Sequence, residues 1–554
     1  MTKDDRRFDS LRSNRGDVEN HVIDEFAAGR ISRAEFLRLG AIFGISIPIL
    51  GAVSTANSAS AGASTPKAGK PGATIRVGII TPAAAVNPVT IADEGGQVML
   101  CQSGEFLTLS DQSLRLKPVL ATSWKPNADG SVWTFKIREG VKFSDGRSLT
   151  ADDVVYTYKL QSNPKSSANA LSAFAGVLSP DGVVKVDTYT VAFHLHGPNG
   201  NFPYLTSSDN YNMIILPKGY NPAKWQHTFI GTGPFTLKSY TEGVGATFVR
   251  NEHYWGKKAL PSKLQFTFYS DQGPQVLALQ SNAVDVINWI VAPGSQAILK
   301  NGQYNIISLK SSSHRELSMR CDQGPFKDPR VRRAMALTLD RPAIVKALFL
   351  GHAQVGNDSP FAPVFPSTDT SVPQRKQNIS QAKQLLAAAG YPSGFSTSLA
   401  TEQLQEMPQF AQIIQAAAAK VGVKVNLTIE STTKYYGQAT FGHSDWLDSS
   451  MSLVDYAARS VPNVLLGAPL QTGGSWNAAR FSDPKYDHLV KQYVAAVDLQ
   501  TQKKLAGKIE RLLLDETPII YGYFYDILAA TAKGVTGVYP TQVGSIFLEN
   551  AALA

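Results

Sequence analysis

The sequence predicts a mixed α/β fold divided into more than one lobe, and three observations predict it. At 554 residues the chain is too long for a single hydrophobic core, because such cores stop growing at roughly 250–300 residues. After Ser380, a residue type that caps helices, a helix-period stretch from Gln381 to Ala389 is closed by Gly390. A second runs from Met407 to Lys420, and Gly422 leads into the alternating strand Val423 to Ile429. Upstream, Trp133, Phe135 and Ile137 alternate with Thr134 and Lys136, the period of a half-buried strand. With 43% hydrophobic and 18% charged residues the chain is neither disordered nor a charged tail. The net charge of +9 lies beyond residues 1–61, where eight basic and eight acidic residues balance. Basic residues do not gather beyond pairs such as Arg332-Arg333, which excludes a nucleic-acid footprint.

In chain order, residues 1–31 are polar and of mixed charge, and an apolar run of 15 residues follows from Leu39 to Val53. It is shorter than the ~20 residues a membrane-spanning helix needs. It ends in small residues, with Ala59-Ser60-Ala61 and Ala61-Gly62-Ala63 as cleavage candidates, so residues 1–63 are expected to be an export signal cut near Ala61 or Ala63. Ser32-Arg33-Ala34-Glu35-Phe36-Leu37-Arg38 resembles a twin-arginine signal with Ala34 where the second arginine belongs, and general secretion is the alternative. No cysteine follows the run, which sets aside a lipoprotein anchor. Residues 64–72 read as a flexible lead-in, and Ala73 to Ile80 as the first strand. Cys101 and Cys321 form no C-x-x-C pair, so a zinc or redox site of that type is excluded; whether they bond to each other is open.

The stretch from Pro118 to Tyr158 reads as strands joined by the turn dipeptides Asp129-Gly130 and Asp145-Gly146, then a helix capped by Thr150 with acids in its first turn. Val183 to Leu195 reads as a hairpin turning near Asp187-Thr188. Gly231-Thr232-Gly233-Pro234-Phe235 opens a strand pair ending at Asn251-Glu252-His253-Tyr254-Trp255. Its glycines are no phosphate cradle, because Pro234 follows at once and no Lys-Ser/Thr helix start does. Leu264 to Phe268 is a strand and Gln275 to Gln280 a short helix. On the helix from Val331 to Leu339 the arginines fall outside the apolar face and read as solvated. Phe481 to Asp487 leads into helix up to Leu514, and Pro518 to Tyr521 is a returning strand.

Several of these stretches together resemble a known family. P-x-L-A-x-S-W from Pro118, D-G-x-x-W-T-F-x-I-R-x-G-V-K-F-x-D-G from Asp129 and T-A-x-D-V-x-Y from Thr150 are similar to the family 5 extracellular solute-binding proteins. So are GTGPF with N-x-x-Y-W, and P-F-x-D-x-R-V-R-x-A followed by Asp340-Arg341. These are peptide, nickel and related receptors of ABC importers, and the resemblance spans about residues 73–525. It implies a two-lobed, periplasmic-binding-protein-like α/β fold. Lobe one would comprise 73–105, 208–313 and 521–554, with an inserted subdomain at 106–207, and lobe two would comprise 314–520. It further implies a monomeric receptor in the periplasm that closes by hinge motion on a peptide or similar polar solute in the cleft and then meets an ABC permease. Nickel, a metal chelate or a sugar-like solute is the alternative ligand.

No enzyme is expected. G-x-S-x-G, H-E-x-x-H and the Walker loop are absent, and His443-Ser444-Asp445 are adjacent in sequence where a triad needs convergence in space. His194 and His196 share a strand face without a third ligand, so no metal site and no cofactor is expected. The ligand site is expected near Asp455. In peptide-binding relatives an aspartate in this Asp-Tyr context holds the ligand's α-ammonium, and the resemblance carries that role to Asp455 and Tyr456. A buried ammonium needs an anion and further hydrogen bonds. The family's Asp-Pro downstream is replaced by Ala457-Ala458-Arg459, and Arg459 is a candidate for a ligand carboxylate. Trp446 and Tyr435 are candidates to line the cleft.

Overall fold

Ile75, Val77 and Ile79 face inward from Thr74–Ile80, which becomes the middle strand of a seven-stranded sheet. In the computed structural model, which describes residues 72–554, the export segment and lead-in expected over 1–72 lie outside the described residues, save Gly72. Thr74–Ile80 runs parallel to both neighbours, Lys263–Tyr269 and Val286–Ile290. Ile527–Ala532 and Tyr304–Leu309 extend one side, and Gly245–Arg250 and Phe235–Thr241 the other. This is lobe one.

Lobe two is built on a six-stranded sheet in the order Ala353–Val355, Ile519–Tyr525, His314–Met319, Met451–Tyr456, Ser396–Glu402, Lys424–Glu430. The last three are parallel, so Glu402, Glu430 and Tyr456 end on one edge, and His314 begins there opposite Tyr456. The chain crosses between the sheets twice, over residues 310–313 and at Asp526. The crossings are tied together. Tyr525 N donates to Ser313 O (2.9 Å) and Ser311 Oγ to Tyr525 O (2.6 Å). The boundary expected at 521 therefore moves to 526, because Ile519–Tyr525 pairs with His314–Met319 in lobe two's sheet.

The stretch from Pro118 to Tyr158 supplies Ala121–Pro126 and Val132–Ile137, which join Thr190–His194 and Val183–Asp187 in a four-stranded sheet. Gly130 turns at φ 76°, a left-handed value that glycine adopts without strain. The helix Ala151–Gln161 opens with a capping box, Thr150 N donating to Asp153 Oδ2 at 2.9 Å. The GTGPF glycines serve close packing. A side chain at Gly231 or Gly233 would run into the backbone of Ser103, and Asn251 Nδ2 donates to Gly233 O (3.0 Å). Beside them Tyr254 Oη (2.7 Å) and Trp255 Nε1 (2.8 Å) donate to the Glu105 carboxylate.

Burial pushes Glu105 up to about 7, with the Trp255 and Tyr254 hydrogen bonds opposing it. A carboxyl raised in the folded state binds more protons folded than unfolded, so its contribution is present at low pH and lost as pH rises through its folded value. Glu105→Gln keeps the acceptor for Trp255. Its melting temperature is expected to change less than the parent's between pH ~5 and pH ~8, and to be at least equal to the parent's at pH ~8. Calorimetry at the two pH values checks this; an unchanged pH slope contradicts it.

Three local readings are corrected. The helix placed from Gln381 starts at Ile379, and Asn378 rather than Ser380 caps it, accepting from Gln381 N at 2.9 Å. The arginines on Pro329–Leu337 are not all solvated. Arg332 is buried, donating to Phe326 O (2.7 Å) and Glu516 O (2.7 Å) and pairing with the Glu516 carboxylate. Cys101 and Cys321 are separate free thiols, the first buried against Ile546 O in lobe one and the second packed in lobe two.

Candidate functional site

Ligands of open α/β sheets bind beyond the carboxyl ends of the parallel strands, and that edge of lobe two faces lobe one. Met451–Tyr456 delivers Asp455 there. Asp455 Oδ1 takes an ion pair from Arg315 Nη1 and a hydrogen bond from Tyr525 Oη (3.2 Å). Its Oδ2 accepts nothing from any described residue, and its side chain is 28% exposed. Arg315 is buried. It also meets Glu406 Oε1 at 2.9 Å, donates to Gln405 Oε1 (2.9 Å), and stacks over the Tyr525 ring at 4.6 Å. Burial opposes its charge, but Asp455, Tyr525 and Glu406 outweigh that and hold the guanidinium well above its ordinary value. Tyr523 Oη donates to Glu406 at 2.8 Å. One cation thus serves two carboxylates, and the cluster keeps a net negative charge that Asp455 presents to the cleft.

Arg459 follows on the loop beyond the strand. Its amide donates to Ser312 Oγ (2.7 Å), and that hydroxyl donates to Arg459 O (2.6 Å), so the first crossing holds the loop. Nη1 reaches only the loop carbonyls of Ala457 (3.3 Å) and Ala458 (3.1 Å), and among the described residues no carboxylate pairs with it. Burial lowers its pKa, opposed by Tyr211, Tyr456 and Asp455. Tyr211 belongs to lobe one, so part of the electrostatic environment of Arg459 comes from the other lobe.

The other three predicted residues lie beneath the strand. Tyr435 is fully buried and its phenol donates to Leu453 O (2.8 Å). Trp446 packs edge-on to Tyr436 at 5.3 Å, and Tyr456 stacks on His314 at 5.7 Å. Tyr435, Trp446 and Tyr456 share one apolar cluster with Val454 and Leu465. They shape the floor on which Asp455 and Arg459 stand, in place of the cleft-lining role expected for Tyr435 and Trp446. Sequence reasoning missed Arg315, Glu406 and Tyr525. A usable signal existed: three ionisable residues in a row, His314-Arg315-Glu316, open a strand that continues Leu317-Ser318-Met319, and all three are buried. Elsewhere His194 is an exposed strand end, and Ser444 precedes the short helix Asp445–Asp448. Among the described residues no group of three His, Cys, Asp or Glu is placed to hold a metal.

The sequence pattern of the bacterial extracellular solute-binding proteins, family 5, middle region, matches residues 115–463. Heme-binding protein A of Haemophilus influenzae is 25% identical over 439 residues, covering 74% of this chain and 79% of that protein. Dipeptide-binding protein DppE of Bacillus subtilis is 27% identical over 479 residues, covering 80% and 85%. Among solved structures, HbpA2 of Haemophilus parasuis superposes with a TM-score of 0.77 at 25% identity, over 87% of this chain and all of that one.

Proposed function

The chain belongs to the family 5 bacterial extracellular solute-binding proteins, and from that premise we propose that it captures a peptide or similar solute bearing both an amine and a carboxylate. The observation that carries the reading is the pairing of Asp455 and Arg459. One is a partly exposed side chain whose second carboxylate oxygen has no partner among the described residues, and the other is a guanidinium with no carboxylate partner among them. They stand four residues apart at one edge, with opposite charges suited to the two ends of a zwitterion. Exposed backbone at a strand end adds affinity that does not depend on side-chain identity. Closure about the 310–313 and 526 crossings traps the solute, and the closed, monomeric receptor presents it to an ABC permease. The apolar run at 39–53 serves export, with cleavage near Ala61 or Ala63. The reading contains no catalytic step.

Calorimetric titration with dipeptides, and with their N-acetyl and C-amide forms, tests it. Asp455→Asn is expected to weaken binding of a free-amine dipeptide by at least ~1.5 kcal/mol, the range of a charge-assisted hydrogen bond. It should leave the N-acetyl form unaffected. Arg459→Gln is expected to weaken the free-acid form selectively. Unchanged affinity in both variants rejects the anchors. A thermal shift with a nickel–histidine complex, reversed by chelator and absent with peptides, rejects the peptide reading.

A further inference from the structure

Leu114 belongs to the inserted subdomain by sequence and to lobe two by packing. It lies on the turn between the paired strands Thr108–Ser110 and Leu116–Pro118. Asp111 organises that turn, its Oδ1 accepting from Ser113 N and Arg115 N, both at 2.9 Å. Leu114 N donates to Asp111 O (2.8 Å), and Tyr204 Oη donates to Leu114 O (2.7 Å). Leu114 holds φ 54°, a left-handed value that suits glycine or asparagine at such a turn and costs a leucine. Its side chain is nonetheless 1% exposed. It packs in the apolar cluster of Phe361, Phe365, Leu466 and Tyr486, whose other buried members all come from lobe two.

A second contact joins the same two bodies. Gly200 N donates to Val494 O (2.8 Å), Asn201 Nδ2 to Asn463 Oδ1 (2.8 Å) and Gln502 Nε2 to Asn201 Oδ1 (3.0 Å). Both polar ends of the Asn201 side chain are thus spent on lobe two. A Cβ at Gly200 would lie 1.8 Å from Ala496 O, and the three atoms nearest it all belong to lobe two, so the missing side chain is what lets the subdomain come this close. The core of the subdomain lies elsewhere: Phe135, Val191 and Phe193 share one cluster with Val77 and Ile79 of lobe one. Beside the contact a groove of about 660 Å³ is left between Gly197-Pro198 and the helix Pro484–Ala495. The subdomain is therefore built into lobe one and grips lobe two through one leucine and a few hydrogen bonds. Parting the lobes would return Leu114 to water, so its burial favours the joined state. We propose that Leu114, Gly200 and Asn201 form a latch that holds the unliganded receptor closed, so that part of the closing free energy is built into the chain instead of coming from the solute. The inference rests on the hinge closure in the reading above and is independent of what the solute is.

Small-angle scattering and amide exchange of the unliganded full chain test it. In Gly200→Ala the new methyl meets lobe two, so it is expected to wedge the lobes apart and raise the radius of gyration above the parent's, with the far-ultraviolet circular dichroism unchanged. Leu114→Gly keeps the turn and removes the side chain. It is expected to speed exchange of the Gly200 amide, which the Val494 carbonyl protects, at least about tenfold. Asn201→Ala should speed it several-fold. Amides of Thr190–His194, inside the subdomain's own sheet, should keep the parent's rates. If Leu114→Gly does not fold, Gly200→Ala decides the matter. Unchanged dimensions together with unchanged Gly200 exchange overturn the latch. Faster exchange in Thr190–His194 as well would make the contact part of the subdomain's own fold, and overturns it too. A parent that scatters as an open molecule until a dipeptide closes it overturns the latch while the hinge reading stands. A Gly200→Ala protein that melts lower without expanding overturns the hinge reading along with the latch.

Discussion

Arg315→Met is expected to destabilise lobe two by about 3–5 kcal/mol, the loss seen when one partner of a buried ion pair is removed. The guanidinium is 1% exposed, and Glu406 beneath it is 2% exposed, so water cannot take its place. Methionine fills similar volume, which separates the charge effect from a cavity. Glu406 would keep only the Tyr523 hydroxyl, and Asp455 only the Tyr525 hydroxyl. Asp455 is partly exposed and can rehydrate, so most of the loss belongs to Glu406. That makes a second outcome specific. Arg315→Met combined with Glu406→Gln should recover roughly 1–2 kcal/mol relative to Arg315→Met alone, since the amide removes the stranded charge. Chemical denaturation of the single and double variants measures both. A loss below about 1 kcal/mol for Arg315→Met would mean the cluster is solvated and does not hold Asp455 in place.

Much of the architecture was legible because the relevant interactions are local. Thr150 and Asp153 close a capping box within four residues, and Asp129-Gly130 turns as its dipeptide predicts. Thr74–Ile80 turns Ile75, Val77 and Ile79 inward as its alternation predicts, whereas the edge strand Lys424–Glu430 keeps the pattern only in its first half, ending with Ile429 exposed and Glu430 buried. The charges were harder to read. Arg332 looks like one of several arginines on a solvated helix, but its partner Glu516 is 184 positions away. Asp455 was found through the family resemblance and Arg459 through the departure from it. Their environments, an occupied oxygen on one and an unpaired guanidinium on the other, come from Arg315 and Tyr211, which no local pattern links to them. Family signatures and the proposed ligand anchors therefore separate in this chain. The glycines of GTGPF and the Tyr254-Trp255 pair serve packing around Ser103 and Glu105, away from the cleft edge of lobe two.

Asp358→Ala is expected to match or exceed Arg315→Met in its cost while sparing ligand binding. Asp358 is buried and accepts from three donors: Arg341 Nη2 (2.7 Å), Arg375 Nη1 (2.6 Å) and Tyr521 N (3.2 Å). It is the sole carboxylate paired with either arginine among the described residues. Burial already lowers the Arg375 pKa, and Arg341 adds to the lowering while Asp358 opposes it. Without the carboxylate, two buried guanidinium groups face each other and a strand amide loses its acceptor. The expected loss is about 3–5 kcal/mol, read as a fall of roughly 10 °C in Tm for a lobe of this size. Asp358 also holds φ 54°, a left-handed conformation that aspartate and asparagine tolerate better than alanine. Asp358→Asn should thus be milder than Asp358→Ala, because it keeps the backbone conformation and one acceptor for Tyr521. Asp358→Ala with Arg375→Met should recover part of the loss by removing one of the two facing cations. Below its melting temperature each variant should bind a dipeptide as the parent does, since Tyr521 lies on the strand that leads to the Asp526 crossing and not at Asp455 or Arg459. If Asp358→Ala instead weakened binding at full foldedness, the arginine pair would have to act on closure through that strand and the crossing it feeds.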